Sequence, residues 1–137
     1  MNTPGPHLDA LVAVFERLRA EGGCAWDRER TLADLGRYLR EECEEAVAAL
    51  GAADRGEGEP GAFREECGDL LANLVFTVQI ARERGWFDMD EVARGACEKI
   101  VRRHPHVFGD AKADTPEEVE ALWQRIKAEE RSGKPPA

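Results

Sequence analysis

Apolar residues recur along this chain at intervals of three and four positions, with glycine, proline and charged residues between the apolar segments. This spacing places apolar side chains on one face of an α-helix, whereas a half-buried strand needs strict alternation of apolar and polar residues. The pattern continues from a first segment near Leu8 to a last one near Glu130. We therefore predict an all-α protein, a bundle of about five helices.

The most apolar segment covers residues 70–81, where Asn73, Thr77 and Gln79 are the polar interruptions. A helix that is apolar on all sides is usually buried on all sides. The other predicted helices are too few to cover it within one chain. We therefore predict a four-helix-bundle type core that is completed by homodimerisation, with a dimer or a dimer of dimers as the assembly.

The length of 137 residues is that of one ordinary domain. No internal repeat is visible, and the last residues are rich in charge, glycine and proline. We predict one domain over residues 1–130, followed by a flexible tail over residues 131–137.

Two acidic clusters lie in the predicted helices, at residues 41–45 and 65–69. Side chains three or four residues apart share a helix face, so each cluster presents a pair of carboxylates in one direction. The glycine-rich segment 51–61 predicts a loop, and helices joined by a short loop tend to lie antiparallel. The carboxylates predicted to converge are Glu42, Glu45, Glu66 and Asp69.

These carboxylates lie on or beside apolar faces. Glu42 falls within the apolar stripe of its helix, three residues after Leu39 and four before Ala46, whereas Glu66 and Asp69 flank the stripe of the next helix. The residues expected to form that second stripe are Phe63, Cys67, Leu70, Leu71, Leu74 and Val78. Carboxylates beside a core are costly unless they are paired, hydrogen-bonded or bound to a metal.

Four carboxylates that converge without cations among them repel one another unless a divalent metal ion lies between them. An all-oxygen set of ligands favours Mg²⁺ or Mn²⁺ over softer metals. We predict a Mg²⁺ site, with Mn²⁺ as a substitute. The alternative that remains open is a structural bundle whose acidic face is merely solvated.

The overall charge and the cysteines narrow the class of protein. A formal net charge of −9 argues against a general nucleic-acid surface. The first ten residues contain no basic segment followed by an apolar run, and no apolar segment is long enough to cross a bilayer. The four cysteines form no CxxC pair, which favours reduced thiols. We predict a cytoplasmic protein with no nucleic-acid partner and no membrane partner.

The most basic segment runs from Lys99 to His106 and includes Arg102 and Arg103. It lies at the end of a predicted helix, where the helix dipole favours cations. Arginine also suits phosphate oxygens through bidentate hydrogen bonding. The residues leave both interpretations open.

Trp26 lies in the connection after the first predicted helix. A large aromatic residue there either caps the core or forms a wall for a flat ligand, because loops at the mouth of a site often carry such residues.

Several chemistries are unsupported by the residues. The single serine, Ser132, lies in the predicted tail, and no cysteine has a histidine nearby in sequence. No glycine-rich phosphate loop is present, and the acidic clusters lack the histidines of a di-iron bundle.

Five motifs occur in order along the chain: GCAWD (23–27), YLREECEEA (38–46), EECGDLLANLVF (65–76), EKIVRRHPHVFGD (98–110) and WQRIKAEE (123–130). Together they resemble the MazG family of nucleoside triphosphate pyrophosphohydrolases, and the resemblance covers nearly the whole chain. It implies Mg²⁺-dependent hydrolysis of a nucleoside triphosphate between the α and β phosphates. The products are a nucleoside monophosphate and pyrophosphate, and house-cleaning of non-standard nucleotides is one role that fits.

The resemblance also implies roles for individual residues. Metal ligands are implied at Glu42, Glu45, Glu66 and Asp69, and catalytic residues at Glu41, Glu42, Arg103 and Lys127. Substrate-binding residues are implied at Trp26, Asn73, Arg102, Arg103 and Lys127. Glu41 would be a supporting or base carboxylate, while Arg103 and Lys127 would act on the phosphates. Ala25, Cys67 and the pair Ala72 and Asn73 depart from the residues usual in the family, which leaves the base preference open.

A rival hypothesis is a non-catalytic helical module that binds a nucleotide or a metal without turnover. Its carboxylates and its basic segment would have the same sequence pattern as those of an enzyme.

Overall fold

A computed structural model describes residues 6–133, and within this range the chain forms helices and no strand. The all-α prediction is confirmed. The helices are α1 (His7–Arg19), α2 (Ala25–Glu29), α3 (Leu32–Asp54), α4 (Pro60–Glu83), α5 (Met89–Arg102), α6 (Pro105–Phe108) and α7 (Pro116–Gly133). Five of them are long and correspond to the predicted helices. The two short ones, α2 and α6, are too brief for a periodic pattern to reveal them.

Local signals fix several helix ends. Thr31 Oγ1 accepts a hydrogen bond from the Asp34 amide at 3.2 Å, and the Asp34 carboxylate accepts one from the Thr31 amide at 3.0 Å, which completes a capping box. Gly85 follows α4 with a φ of +74°, a conformation that favours glycine. Thr115 Oγ1 accepts a hydrogen bond from the Glu118 amide at the start of α7.

The chain forms two compact units, the first ending at Met89 and the second beginning at Asp90. The single domain over residues 1–130 therefore stays a prediction. Helix α7 continues to Gly133, past the predicted start of the tail, and residues 134–137 lie outside the described range. Residues 1–5, which are half of the N-terminal segment considered for a signal, also lie outside it.

In the first unit α3 packs along α4, α4 packs against α1, and α1 contacts α2. Leu35, Phe76 and Ile80 form the centre of the core. The rings of Phe15 and Phe76 lie 5.0 Å apart between centroids and join α1 to α4. Phe15, Leu32 and Tyr38 cover the core from the sides. This packing holds the acid-bearing helices α3 and α4 side by side.

The prediction of which residues form the buried apolar stripe of α4 is wrong in part. Val78 is buried as predicted, but Cys67, Leu71 and Leu74 are exposed in the single chain. The buried residues of α4 are Val75, Phe76, Val78, Ile80 and Ala81. The physical reason is that α3 and α1 cover only part of the circumference of α4. None of the described helices combines the length and the apolar character that a membrane crossing requires.

Arg19 joins three elements of the first unit. Its guanidinium donates to both carboxylate oxygens of Glu83 at 2.7 and 3.0 Å, and to the carbonyls of Asp27 and Arg30 at 2.7 and 3.1 Å. The side chain is only 10% exposed. The hydrogen bonds from Arg19 lower the pKa of the Glu83 carboxyl. Arg19 therefore ties α1 to α4, to the middle of α2 and to Arg30, the residue that follows α2.

We expect Arg19→Ala to lower the free energy of unfolding by about 2 kcal/mol, because it leaves a carboxylate and two carbonyls without their donor. The exposed Arg17→Ala is the matched control and should change it little. Since Glu83 has a lowered pKa, the loss of unfolding free energy in Arg19→Ala should become smaller as the pH falls below 4.5, the usual pKa of this carboxyl. Chemical denaturation at several pH values measures it, and equal stability of the two variants would contradict the role of Arg19.

Candidate functional site

Carboxylates from two helices meet on the first unit. Glu42 and Glu45 on α3 and Glu66 on α4 each place one oxygen within 4.8 Å of the others. We call these three residues the acid cluster. Among the described residues it is the only group of this kind that could hold a metal ion. The predicted convergence of α3 and α4 carboxylates is thus present for three of the four residues named.

Two oxygens of the acid cluster are buried and unsatisfied. Within the described part of the chain, Glu42 Oε2 and Glu66 Oε2 have no hydrogen-bond partner. A buried carboxylate oxygen without a donor loses its hydration and gains nothing in return. Such an oxygen is suited to bind a cation that the protein itself does not supply.

The electrostatics of the cluster agree with its geometry. Burial raises the pKa of the Glu42 carboxyl, and Glu45, Asp69 and Glu66 raise it further. Burial likewise raises the pKa of the Glu66 carboxyl, with further contributions from Glu45, Asp69 and Glu65. Every neighbouring charge that acts on these two groups is another carboxylate. Within residues 6–133, no basic side chain therefore neutralises the negative charge at this point.

Asp69 and Glu41 lie outside the acid cluster. Asp69 is exposed and acts on Glu42 and Glu66 through its charge, but it is not among the three residues whose oxygens converge. Glu41 is exposed on α3. The roles predicted for them, a fourth ligand and a supporting or base carboxylate, stay predictions.

The residues present fit a hard divalent cation. The ligand set is all oxygen, two of its oxygens lack a partner, and the charges around it are all negative. Mg²⁺ and Mn²⁺ bind such a set, with waters or substrate oxygens completing the coordination. Glu42, Glu45 and Glu66 are the residues that would hold the ion.

Trp26 belongs to the short helix α2 and is 53% exposed. Its ring stacks on Tyr38 with centroids 6.1 Å apart and planes 19° apart, and the Arg30 guanidinium carbon lies 4.1 Å from its centroid. The Arg30 side chain also donates to the Trp26 carbonyl at 3.0 Å. Trp26 therefore stacks on Tyr38, which packs against the core, and a flat ligand that stacked on the face covered by Arg30 would have to displace that side chain.

Asn73 lies on α4, seven residues after Glu66 and four after Asp69, so it continues the acid-bearing face of that helix. The residue is partly buried, and its carbonyl accepts a hydrogen bond from Thr77 Oγ1 at 2.7 Å.

The second unit has a cationic cavity of about 300 Å³. Its lining consists of Lys99, Ile100, Arg103, His104, Trp123 and Lys127. The structure thus brings together Arg103 and Lys127, the two residues that the family resemblance assigns to phosphate binding. His104 packs edge-on against Trp123 and donates from Nδ1 to the Ile100 carbonyl at 2.6 Å.

Arg102 lies apart from that cavity. It lines a separate hollow of about 600 Å³ with Pro105, Ile126, Glu129, Glu130 and Gly133. The Arg102 Nε donates to Glu130 at 3.1 Å, and the side chain is 49% exposed. Its predicted part in substrate binding stays a prediction.

Four residues of the cationic cavity were not among the predicted site residues: Lys99, Ile100, His104 and Trp123. The signal for Lys99 is its spacing, because Lys99 and Arg103 lie four residues apart on one helical face, as do Trp123 and Lys127. His104 has no such signal, because it follows the end of α5 and its direction depends on the turn into α6.

The acid cluster lies within a region of the chain that is similar to known proteins. The model of the MazG nucleotide pyrophosphohydrolase domain matches residues 30–108, more than half of the chain, and this range includes the acid cluster. The chain belongs to the MazG family. Trp26 and Lys127 lie outside the matched range.

Two relatives of this MazG domain are bacterial proteins of about twice its length. The nucleoside triphosphate pyrophosphohydrolase of Escherichia coli (strain K12) is 41% identical over 128 residues, which cover 93% of this chain and 47% of that protein. The nucleoside triphosphate pyrophosphohydrolase/pyrophosphatase MazG of Thermotoga maritima is 42% identical over 134 residues, which cover 98% of this chain and 49% of that protein. The chain therefore spans about half the length of the curated relatives it matches.

A solved structure supports the fold. The crystal structure of the mazG-related protein from Thermotoga maritima superposes with a TM-score of 0.69 at 25% identity. The match covers 88% of this chain and 98% of that one.

We expect the acid cluster to destabilise the metal-free protein at neutral pH. Because the pKa values of Glu42 and Glu66 are raised in the folded state, that state binds protons more readily than the unfolded chain. Its stability in chelator should therefore fall as the pH rises above 4.5, the usual value for these carboxyls, and through the raised values. At pH 7 Mg²⁺ should restore it.

Glu45→Gln tests this point, because it removes one charge of the acid cluster from an exposed position. In chelator the variant should melt about 2–4 °C above the wild type, and Mg²⁺ should raise its melting temperature less than that of the wild type. Glu44→Gln, one residue away on α3 and outside the cluster, is the control. If Glu44→Gln and Glu45→Gln respond alike to Mg²⁺, the cluster is not the binding site.

Proposed function

We propose that this MazG domain hydrolyses nucleoside triphosphates between the α and β phosphates in a Mg²⁺-dependent reaction. The observation that carries the proposal is the approach of Glu42, Glu45 and Glu66 to within 4.8 Å of one another from two helices. The names of the relatives support it, since the matched proteins of Escherichia coli and Thermotoga maritima are called nucleoside triphosphate pyrophosphohydrolases.

In this proposal the acid cluster holds the divalent ion, and Asp69 adds negative charge beside it. A bound Mg²⁺ offsets charge on the phosphate oxygens and lowers the pKa of water. Glu41 is the residue that would take a proton from the attacking water, as the family resemblance implies. The water oxygen forms a bond to the α phosphorus, and the bond from that phosphorus to the bridging oxygen breaks. The electron pair leaves with pyrophosphate, and the nucleoside monophosphate remains.

Arg103 and Lys127 would bind phosphate oxygens and stabilise charge on the leaving pyrophosphate. The cationic lining of their cavity supports this role, because Lys99 adds a third positive charge to it. For Arg102 we propose a lesser part in substrate binding, since it lines a different hollow.

We propose that the substrates are non-standard nucleoside triphosphates, so that the role of the protein is house-cleaning. Trp26 and Asn73 are the residues that we propose select the base. The ring of Trp26 is half exposed, and Asn73 lies on the same helix face as Glu66. A panel of standard, deaminated and oxidised nucleoside triphosphates, assayed for pyrophosphate release with Mg²⁺ and with Mn²⁺, tests this choice. Uniform rates across the panel would argue against it.

We also propose that the protein is cytoplasmic and forms a homodimer or a dimer of dimers. The four cysteines are free thiols, which fits a reducing compartment. Val47, Leu50, Leu71 and Leu74 expose between 39% and 62% of their surface on α3 and α4, and a second copy would bury such residues. Light scattering should give a mass at least twice that of one chain.

We expect Glu42→Gln and Glu66→Gln each to lower the rate of pyrophosphate release by at least 10²–10³-fold, an order-of-magnitude figure for the loss of one charge-stabilising group. Asp69→Asn should also abolish turnover, as the family resemblance implies. All three variants should fold, because each removes a repulsive charge from the metal-free protein. Circular dichroism measures whether the variants fold, and a coupled assay measures their rate of pyrophosphate release.

Glu44→Gln is again the matched control and should keep its activity. Pyrophosphate release at the wild-type rate from Glu42→Gln would refute the assignment. Binding of the triphosphate by the wild type without multiple turnovers would favour the non-catalytic module instead.

A further inference from the structure

Glu130 has no assigned role in the proposed reaction. It lies on α7, three residues after Lys127 and seven after Trp123, and so shares a helix face with two residues of the cationic cavity. It is a carboxylate directed at the arginines of a segment that the proposed function assigns to phosphates. Its side chain is only 16% exposed.

The contact between Glu130 and Arg103 is bidentate. Glu130 Oε2 accepts from Arg103 Nη2 at 3.0 Å, and Oε1 accepts from Arg103 Nε at 3.4 Å. The carboxylate therefore accepts hydrogen bonds from the edge of the guanidinium that carries Nε and Nη2, and it makes none with Nη1. Two parallel hydrogen bonds fix the plane of a guanidinium as well as its position. The Arg103 side chain is 27% exposed, so this pair is better shielded than an ordinary surface ion pair.

Glu130 holds Arg103 from outside the cationic cavity. Arg103 lines the cavity with Lys99 and Lys127, whereas Glu130 lines the separate hollow on the side of Arg102. Arg102 Nε donates to Glu130 Oε1 at 3.1 Å, so a second arginine also holds the carboxylate. The negative charge is shared by two arginines, and the lining of the cavity stays cationic.

The charge of Glu130 is permanent at neutral pH. The hydrogen bond from Arg103, followed by that from Arg102, lowers the pKa of Glu130 to about 2. The carboxylate therefore remains ionised and keeps its grip over the whole range in which the protein would act.

We propose that Glu130 is a positioning residue, which fixes the guanidinium of Arg103 so that its remaining edge can meet a phosphate group in the cationic cavity. This inference rests on the proposed function for the identity of the anion. Arg102 then serves to hold Glu130 in place.

The test compares Glu130→Gln with Glu129→Gln, an exposed neighbour on α7. Loss of the grip should lower kcat/KM for pyrophosphate release about tenfold in Glu130→Gln and leave Glu129→Gln unchanged. In the background of Arg103→Ala, Glu130→Gln should have no further effect, because there is no guanidinium left to position. If Glu130→Gln does not fold, as judged by circular dichroism, Glu130→Asp replaces it with the same expected direction.

Two results would overturn the inference. An undiminished kcat/KM in folded Glu130→Gln, with only the melting temperature lowered, would make the pair merely structural. Tighter binding of pyrophosphate by Glu130→Gln would make Glu130 a competitor of the anion and not its support.

Failure of the proposed function gives a different pattern. If the wild type releases no pyrophosphate from any triphosphate, binding of inorganic pyrophosphate with Mg²⁺ is measured by calorimetry. Weaker binding by Glu130→Gln than by Glu129→Gln, with no difference in the Arg103→Ala background, would still support the positioning role. Equal binding by the two variants would refute it.

Discussion

The repulsion among carboxylates at the contact between α3 and α4 is the constraint on which the first unit depends. Glu42, Glu45 and Glu66 lie within 4.8 Å of one another, and Asp69 adds its charge nearby. Burial makes the repulsion worse, because Glu42 Oε2 and Glu66 Oε2 have given up water without gaining a donor. A fold that keeps such an arrangement accepts a local loss of stability, and that loss is expected where a cation binds.

The rest of the unit keeps these acids together. Leu35, Phe76 and Ile80 lock α3 to α4 through apolar packing, and Arg19 ties α1 and the segment around α2 to α4. None of these residues belongs to the acid cluster. Apolar burial and the hydrogen bonds of Arg19 stabilise the folded unit and offset the charge repulsion within the acid cluster. The acid cluster therefore does not need to be stable by itself. In the second unit, Glu130 and Arg103 show the opposite arrangement, since opposite charges there neutralise one another.

Much of this could be predicted from the sequence, because it depends on local spacing. The interval between Glu42 and Glu45 and the capping box of Thr31 are local features, and the structure contains both arrangements. What depends on packing could not be predicted. The rotation of α4 against α3 brings Glu66 into the acid cluster and leaves Asp69 beside it, and it also leaves Leu71 and Leu74 exposed. Similarly, Arg102 and Arg103 are neighbours in sequence but line different hollows. Arg103 lies beside Trp123 and Lys127 of α7, and Arg102 lies beside Ile126 and Glu129, so the difference depends on how α7 is placed at the end of α5.

The central claim is that one divalent ion joins carboxylates of α3 and α4. A crystal of the protein grown with Mn²⁺, analysed by anomalous scattering at the manganese edge, tests it most directly. We predict an anomalous peak within bonding distance of oxygens from Glu42 or Glu45 on α3 and from Glu66 on α4. A protein saturated with Mn²⁺ whose only peaks contact acids of a single helix, or lie away from Glu42, Glu45 and Glu66, would contradict the account.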